Sequence, residues 1–196
     1  MSIQQIGSAT KRPTPGMVIL DRDGVINYDS DHYIRSLQDW IPIPGSIEAI
    51  VRLAQSGMRI AVASNQSGLG RGFFKVRDLN RMHGRLLDLL ARHQVSLEVI
   101  ALCPHLPGDQ CDCRKPAPGM LQHILQTSGL SAGQCVYIGD SFRDWQAAER
   151  AGIPFVHVLS GKGARELQKH ADDWPASVQH YSDLEQWSLA LLAGRW

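Results

Sequence analysis

The chain of 196 residues lacks any apolar run near the roughly 20 residues that a membrane span needs. Residues 1–16 lack the apolar middle of a signal peptide, and we therefore expect a cytoplasmic protein. An excess of one charge is also missing, since 20 Lys and Arg face 19 Asp and Glu and leave a formal net charge of +1. A nucleic-acid-binding protein usually carries a basic stripe, so no nucleic-acid partner is indicated.

Internal repeats, low-complexity segments and interdomain linkers are absent as well. We expect a flexible lead-in over residues 1–16 and a single domain over residues 17–196, a length that can bury a full core. No heptad pattern or exposed apolar stripe argues for assembly, which makes a monomer the expected state.

Short apolar runs alternate with amphipathic stretches, which is the rhythm of strand–helix–strand units. Strands are predicted at 17–20, 59–64, 97–103, 135–139 and 155–159, and helices near 46–56, 76–93, 117–129, 142–151 and 182–193. The strand segments are rich in Val and Ile, as buried parallel strands are. The pattern predicts an α/β fold with a mainly parallel sheet.

Polar segments follow four of the five predicted strands. In an open parallel sheet, ligands bind outside the carboxyl ends of the strands, so these segments are the candidate site. They are Asp21 to Gly24, Ser64 to Gly68, the loop from Cys103 to Lys115, and Asp140 with Ser141.

Two acids, Asp21 and Asp23, project the same way from extended backbone at the first strand end. Carboxylates this close repel each other unless a cation lies between them, and Mg²⁺ prefers a few such oxygen ligands. Asp140 adds a carboxylate from another strand end. Taken alone, Asp21 and Asp23 would equally suit a turn before Gly24.

Ser64 and Lys115 could hold phosphate oxygens during phosphoryl transfer. Either residue by itself would be unremarkable. Lys115 has the stronger case, because Pro116 and Pro118 stiffen the chain around it.

Three cysteines and a histidine crowd into one loop as Cys103, His105, Cys111 and Cys113. Three thiolates and an imidazole make a closed tetrahedral shell, which predicts a structural zinc site. The alternative is a set of free cysteines. Zinc bound there would fix the loop that carries Arg114 and Lys115.

The segments DRDGVIN (21–27), SNQSG (64–68), CRKPAPGM (113–120) and GDSFRD (139–144) resemble the haloacid dehalogenase (HAD) superfamily of phosphatases. The resemblance implies a HAD-like Rossmannoid three-layer sandwich. No long insertion follows Gly24 or separates the second and third strands, so no large cap domain is expected.

This resemblance also implies roles for individual residues. Asp21 would attack phosphorus, and Asp23 would protonate the leaving oxygen and later activate water. Magnesium would be held by the carboxylates of Asp21 and Asp140 and the backbone carbonyl of Asp23, with Asp144 supporting that shell. Ser64 and Lys115 would steady the phosphoryl group.

The zinc loop resembles a narrower family that contains heptose bisphosphate phosphatases and histidinol-phosphate phosphatases. DRDGVINYDSDHYIRSLQDWIPIPGSI, SNQSGLGRG and CRKPAPGM favour the heptose type, which removes the C7 phosphate of D-glycero-D-manno-heptose 1,7-bisphosphate on the route to ADP-heptose and lipopolysaccharide core. Histidinol-phosphate phosphatase is the alternative activity, and a non-catalytic phospho-ligand-binding protein is a third hypothesis.

Substrate contacts are expected from the loops around the nucleophile and the second and third strand ends. Arg114 would bind the phosphate that does not react, through its forked guanidinium, and Ser141 stands where some heptose phosphatases carry lysine. The expected substrate-binding residues are Asp29, Tyr33, Asn65, Gln66, Ser67, Arg71, Arg114 and Ser141.

Overall fold

The structure is a computed structural model and describes residues 14–196. The strands are β1 (Met17–Leu20), β2 (Arg59–Asn65), β3 (Val99–Cys103), β4 (Cys135–Gly139), β5 (Phe155–Val158) and β6 (Gln179–Tyr181). The α-helices are α1 (Ser46–Gln55), α2 (Ser67–Gly70), α3 (Val76–Ala91), α4 (Gly119–Ser128), α5 (Phe142–Ala151), α6 (Gly163–Lys169) and α7 (Leu184–Leu192). A short 3₁₀ helix, Ala132–Gln134, precedes β4.

All strand pairs of the six-stranded sheet are parallel, in the order β3-β2-β1-β4-β5-β6. Strand order reverses beside β1, because β2 pairs on one side of it and β4 on the other. Leu20 lies next to Ile138 in register, and the Asp21 amide donates to the Ile138 carbonyl at 2.9 Å. This switch point sets the segments that follow β1 and β4 side by side, where ligands of such sheets bind.

Side chains alternate between two apolar clusters, one on each face of the sheet. In β1, Val18 and Leu20 enter the cluster that α1, α3 and α7 cover. Met17 and Ile19 enter the cluster under α4 and α5. Helices therefore cover both faces, which gives the predicted three-layer α/β architecture.

The five strands expected from sequence are present, with ends within two residues of the prediction. β6 was missed because it is a three-residue edge strand with the polar sequence QHY. Helix α6 has seven residues, too few to show a clear apolar period.

The expected lead-in over residues 1–16 falls mostly outside the described residues, and residues 14–16 run directly into β1. In the part of the chain that the structure describes, no helix is both long enough and apolar enough to cross a bilayer.

Candidate active site

A cavity of about 220 Å³ opens at the carboxyl ends of the central strands. Acids and cations dominate its walls. The lining residues are Asp21, Asp23, Asp29, Ser30, Asp31, Tyr33, Ile34, Asn65, Gln66, Ser67, Arg114, Lys115, Asp140, Ser141, Arg143, Asp144 and Lys162.

Three carboxylates converge at the bottom of the cavity, from Asp21, Asp140 and Asp144, with one oxygen of each within 4.8 Å of the others. Burial raises the pKa of Asp21 to about 7, although nearby Lys115 acts to lower it. Burial and the charges of Asp144 and Asp21 raise the pKa of Asp140 well above its usual range. Burial and neighbouring acids thus disfavour the charged form of both carboxylates, and a bound divalent cation would favour it.

Lys115 is 3% exposed and lies between two of these acids. Its Nζ is 2.8 Å from Asp21 Oδ2 and 2.7 Å from Asp144 Oδ1. It also donates to the Tyr137 hydroxyl at 2.8 Å and to the Ala63 carbonyl at 3.0 Å. The ammonium is thus fully paired. Burial acts to lower the pKa of Lys115, but the negative charges of Asp144 and Asp21 outweigh it and raise that pKa.

Asp144 is held from several sides and is the most buried of the three acids, with 0% of its surface exposed against 4% for Asp140 and 9% for Asp21. Its Oδ2 accepts from the hydroxyl and the amide of Ser141, at 2.7 and 3.1 Å, and its Oδ1 accepts from the Tyr137 hydroxyl at 3.0 Å. Burial acts to raise the pKa of Asp144, but Lys115 and Ser141 outweigh it and lower that pKa. Both oxygens already have donors, as expected for a supporting carboxylate.

Asp23 is held by four donors. Arg22 Nε and Nη2 each donate at 2.9 Å, and Asn27 Nδ2 and Gln66 Nε2 each donate at 2.8 Å. Burial would raise the pKa of Asp23, but the Arg22 charge and these hydrogen bonds lower it. In this arrangement Asp23 is an ionised carboxylate whose four acceptor positions are filled.

The segment after β2 supports the floor of the cavity as well as lining it. The side-chain amide of Asn65 exchanges two hydrogen bonds of 3.1 Å with the backbone of Lys115, which fixes the lysine in place. Ser64 is buried, and its hydroxyl accepts from Gln66 Nε2 at 2.9 Å. Ser67 lines the cavity at the start of α2.

The loop after β1 forms one side of the mouth. Asp29 Oδ2 lies 2.7 Å from Lys162 Nζ, and Asp31 pairs with Arg165 at 3.3 Å. Tyr33 adopts φ 67° and packs edge-on against Phe73, with ring centroids 5.1 Å apart. These contacts tie the loop to the segment between α2 and α3 and to α6.

Two arginines, Arg114 and Arg143, also line the cavity. Arg114 Nη1 donates to the carbonyl of His105 at 3.1 Å, which links this side chain to the cysteine loop. Burial and the positive charge of Arg143 lower the pKa of Arg114. The two guanidiniums therefore lie close enough to repel each other.

The sulfur and nitrogen atoms of Cys103, His105, Cys111 and Cys113 form a compact cluster. Four of their separations are 3.5, 3.7, 3.2 and 3.5 Å. The edges of a tetrahedron around zinc are about 3.5–3.8 Å when Zn–S is near 2.3 Å and Zn–N near 2.0 Å. The sulfurs are much too far apart for a disulfide, whose bond is about 2.05 Å, and the four ligands fit zinc.

Most residues expected at the site lie at this cavity. Arg71 is exposed and does not line it, and Ser64 lies outside the lining although it contacts Gln66. Lys162 and Arg143 line it but were not among the expected residues. Lys162 could have been found, because SGKG follows β5 just as the other candidate segments follow their strands. Arg143 lies inside the GDSFRD segment, in which the metal-binding pattern involves only the neighbouring acids Asp140 and Asp144.

A family profile described as HAD-hydrolase-like matches residues 112–185. The D-glycero-beta-D-manno-heptose-1,7-bisphosphate 7-phosphatase of Pseudomonas aeruginosa is 47% identical over 176 residues, which are 90% of this chain and 97% of that protein. The chain belongs to this family of HAD-like phosphatases.

Two further relatives agree with that membership. The protein of the same name from Neisseria meningitidis serogroup A is 41% identical and matches 90% of this chain and 94% of its own length. The crystal structure of the D,D-heptose 1,7-bisphosphate phosphatase from B. bronchiseptica, complexed with magnesium and phosphate, has a TM-score of 0.86 at 40% identity, covering 90% of this chain and 98% of that one. The family resemblance drawn from the motifs is confirmed.

Proposed function

We propose that this chain is a magnesium-dependent phosphatase that removes the C7 phosphate of D-glycero-D-manno-heptose 1,7-bisphosphate. The observation that carries the proposal is the buried set of Asp21, Asp140 and Asp144 around Lys115 at the strand-order switch, in a chain of the heptose bisphosphate phosphatase family. The product would serve ADP-heptose synthesis for lipopolysaccharide core. Since the curated relatives are named for the beta anomer, we propose that anomer as the preferred substrate.

The acid cluster fits magnesium, because carboxylate oxygens of Asp21, Asp140 and Asp144 lie within 4.8 Å of one another and magnesium prefers such oxygen ligands. Asp21, Asp140 and the backbone carbonyl of Asp23 would hold the ion, with Asp144 behind them. Bound there, magnesium would supply positive charge against the phosphate and fix its orientation.

The chain's own residues would carry the reaction in two steps. An oxygen of Asp21 forms a bond to phosphorus while the bond from phosphorus to the sugar oxygen breaks, and an aspartyl-phosphate results. Water then attacks this phosphorus, inorganic phosphate leaves, and Asp21 is restored. Lys115 orients Asp21 and favours its ionised form and, with Ser64, would stabilise the charge on the phosphoryl oxygens.

Asp23 would protonate the sugar oxygen as it leaves and then accept a proton from the attacking water. The four donors around its carboxylate favour the ionised form. To donate a proton, Asp23 must therefore exchange Gln66 and part of the Arg22 fork for the substrate oxygen. Gln66 also binds Ser64, so this exchange would couple the acid to the second strand end.

The four-residue cysteine and histidine cluster would hold a structural zinc ion. Its function would be to fix the loop from Cys103 to Cys113, since the next residue, Arg114, bonds to the carbonyl of the ligand His105. Free thiols in such a cluster suit a reducing compartment, which supports a cytoplasmic location. We keep the monomer as the proposed state.

Initial rates on both anomers of heptose 1,7-bisphosphate, with histidinol phosphate as the comparison, test the proposal. Turnover of the bisphosphate should greatly exceed that of histidinol phosphate; the reverse ranking would make the chain a histidinol phosphatase.

Asp21→Asn is the matched variant for chemistry, because it removes the attacking charge but keeps the shape of the side chain. It should abolish hydrolysis and retain substrate binding. Undiminished turnover would exclude Asp21 as the nucleophile, and binding without turnover in the unsubstituted chain would indicate a phospho-ligand-binding protein.

A further inference from the structure

Four cations line the active-site cavity: Arg114, Lys115, Arg143 and Lys162. Two of them are committed to acids. Lys115 lies 2.8 Å from Asp21 and 2.7 Å from Asp144, and Lys162 lies 2.7 Å from Asp29. Neither ammonium is available to a further anion unless it gives up a carboxylate.

The two arginines differ from the lysines in this respect. Within residues 14–196, neither Arg114 nor Arg143 has a carboxylate oxygen within 4.0 Å. Arg114 donates one bond to the His105 carbonyl, which leaves most of its donors free. Both arginines also line a second small cavity beside the first, together with Lys115 and Pro116, so they border the same opening.

Two guanidiniums that share one opening, neither of them in an ion pair within the described residues, repel each other. An anion between them removes this repulsion and can accept from both planar forks. A phosphate monoester fits well, because at neutral pH it carries between one and two negative charges and three acceptor oxygens.

We propose that Arg143 is a specificity-determining residue that, together with Arg114, binds the phosphate that is not hydrolysed. The inference rests on the proposed function, since it assumes a bisphosphate substrate. Ser141, which directly follows Asp140, is not free for this task, because its hydroxyl already donates to Asp144 Oδ2 at 2.7 Å.

Position along α5 explains how two neighbouring residues serve different ends of the substrate. Asp144 is buried and points to Lys115. Arg143 precedes it in the first turn of α5 and is exposed at the cavity. One helix turn therefore supports the reacting phosphate through Asp144 and would hold the other phosphate through Arg143.

The test compares Arg143→Gln with the unsubstituted chain on heptose 1,7-bisphosphate and on heptose 7-phosphate, which lacks the second phosphate. Loss of one charge-assisted contact should raise KM for the bisphosphate by about tenfold or more, with kcat changed by less than about twofold because the reacting phosphate is untouched. Kinetics on the 7-phosphate should not change. Arg143→Lys should recover part of the loss, since it restores the charge but not the fork.

Arg81→Gln is the matched control, because it removes the same charge from an exposed position of α3 outside the cavity. It should leave both substrates unaffected. A binding measurement in the Asp21→Asn background, with and without Arg143→Gln, should show the same tenfold weakening for the bisphosphate alone.

Equal losses on both substrates would overturn the inference and assign Arg143 a structural role, and so would an unchanged KM for the bisphosphate. If the unsubstituted chain fails to hydrolyse heptose bisphosphate, the proposed function fails instead. The two failures are therefore distinguishable.

Discussion

Replacing Lys115 by methionine is expected to destabilise the fold as well as the active site. The ammonium is 3% exposed and lies within 2.8 Å of both Asp21 and Asp144. Methionine fills similar space but leaves these two acids without their cation. Removing one partner of a buried ion pair costs about 3–5 kcal/mol, which is a large part of the roughly 5–15 kcal/mol that stabilises a typical domain.

A double-mutant cycle separates the charge from the packing. Asp144→Asn alone should also be costly, but Lys115→Met combined with Asp144→Asn should cost about 1–3 kcal/mol less than the sum, since each substitution removes the other's unpaired partner. Tyr137→Phe is the matched control. It removes one neutral donor from the same cluster and should cost only about 1 kcal/mol.

The assay is equilibrium unfolding in urea followed by tryptophan fluorescence, with the metal content held constant because bound metal adds its own stability. Lys169→Met, on the exposed side of α6, reports the effect of losing any lysine and should stay within about 0.5 kcal/mol. A cost below about 1 kcal/mol for Lys115→Met, or strict additivity in the cycle, would refute the reasoning.

Three further predictions follow from particular contacts. Removing the proposed zinc with a chelator, followed by assay in excess Mg²⁺, should raise KM before it lowers kcat, because the cluster positions Arg114; equal loss of both would contradict that. Burial lowers the pKa of His83 to about 4, while the unfolded imidazole titrates near 6.5. The free energy of unfolding should therefore fall as the pH drops from about 7.5 to 5.5, and it should fall by about 1.3 kcal/mol more in the unsubstituted chain than in His83→Phe. Equilibrium unfolding at both pH values measures this difference. Gly161 has φ 60° and no room for a Cβ beside Asp140, so Gly161→Ala should weaken magnesium binding in titrations, whereas Gly133→Ala, with open space around it, should not.

Local sequence was sufficient for the parts of the site that follow strand ends. A short apolar run such as MVIL predicts a buried strand. In a parallel sheet the residue that follows it, Asp21, lies at the carboxyl edge where ligands bind. The same reasoning placed Asp140. The cluster of three cysteines and a histidine could be found because the spacing of these residues within one loop is a local property.

Side-chain partners across the fold depended on tertiary structure. Asn65 was expected to contact the substrate and does line the cavity, but only the structure shows that its amide is bound to the backbone of Lys115, 50 residues later. The ion pair between Lys162 and Asp29 could not be predicted from sequence, because it depends on the packing of the loop after β5 against the loop after β1.

What the sequence by itself determined is the order of buried strands and the acids and thiols attached to them, because burial and metal ligation depend on residue type and short spacing. Only the tertiary structure decided which charged side chains form ion pairs. Lys115 and Lys162 are neutralised by acids from distant segments, while Arg114 and Arg143 are left facing the cavity. Electrostatic interactions depend on distance in space and not on separation along the chain. The fold therefore decides which cations are paired with acids and which are left unpaired at the cavity.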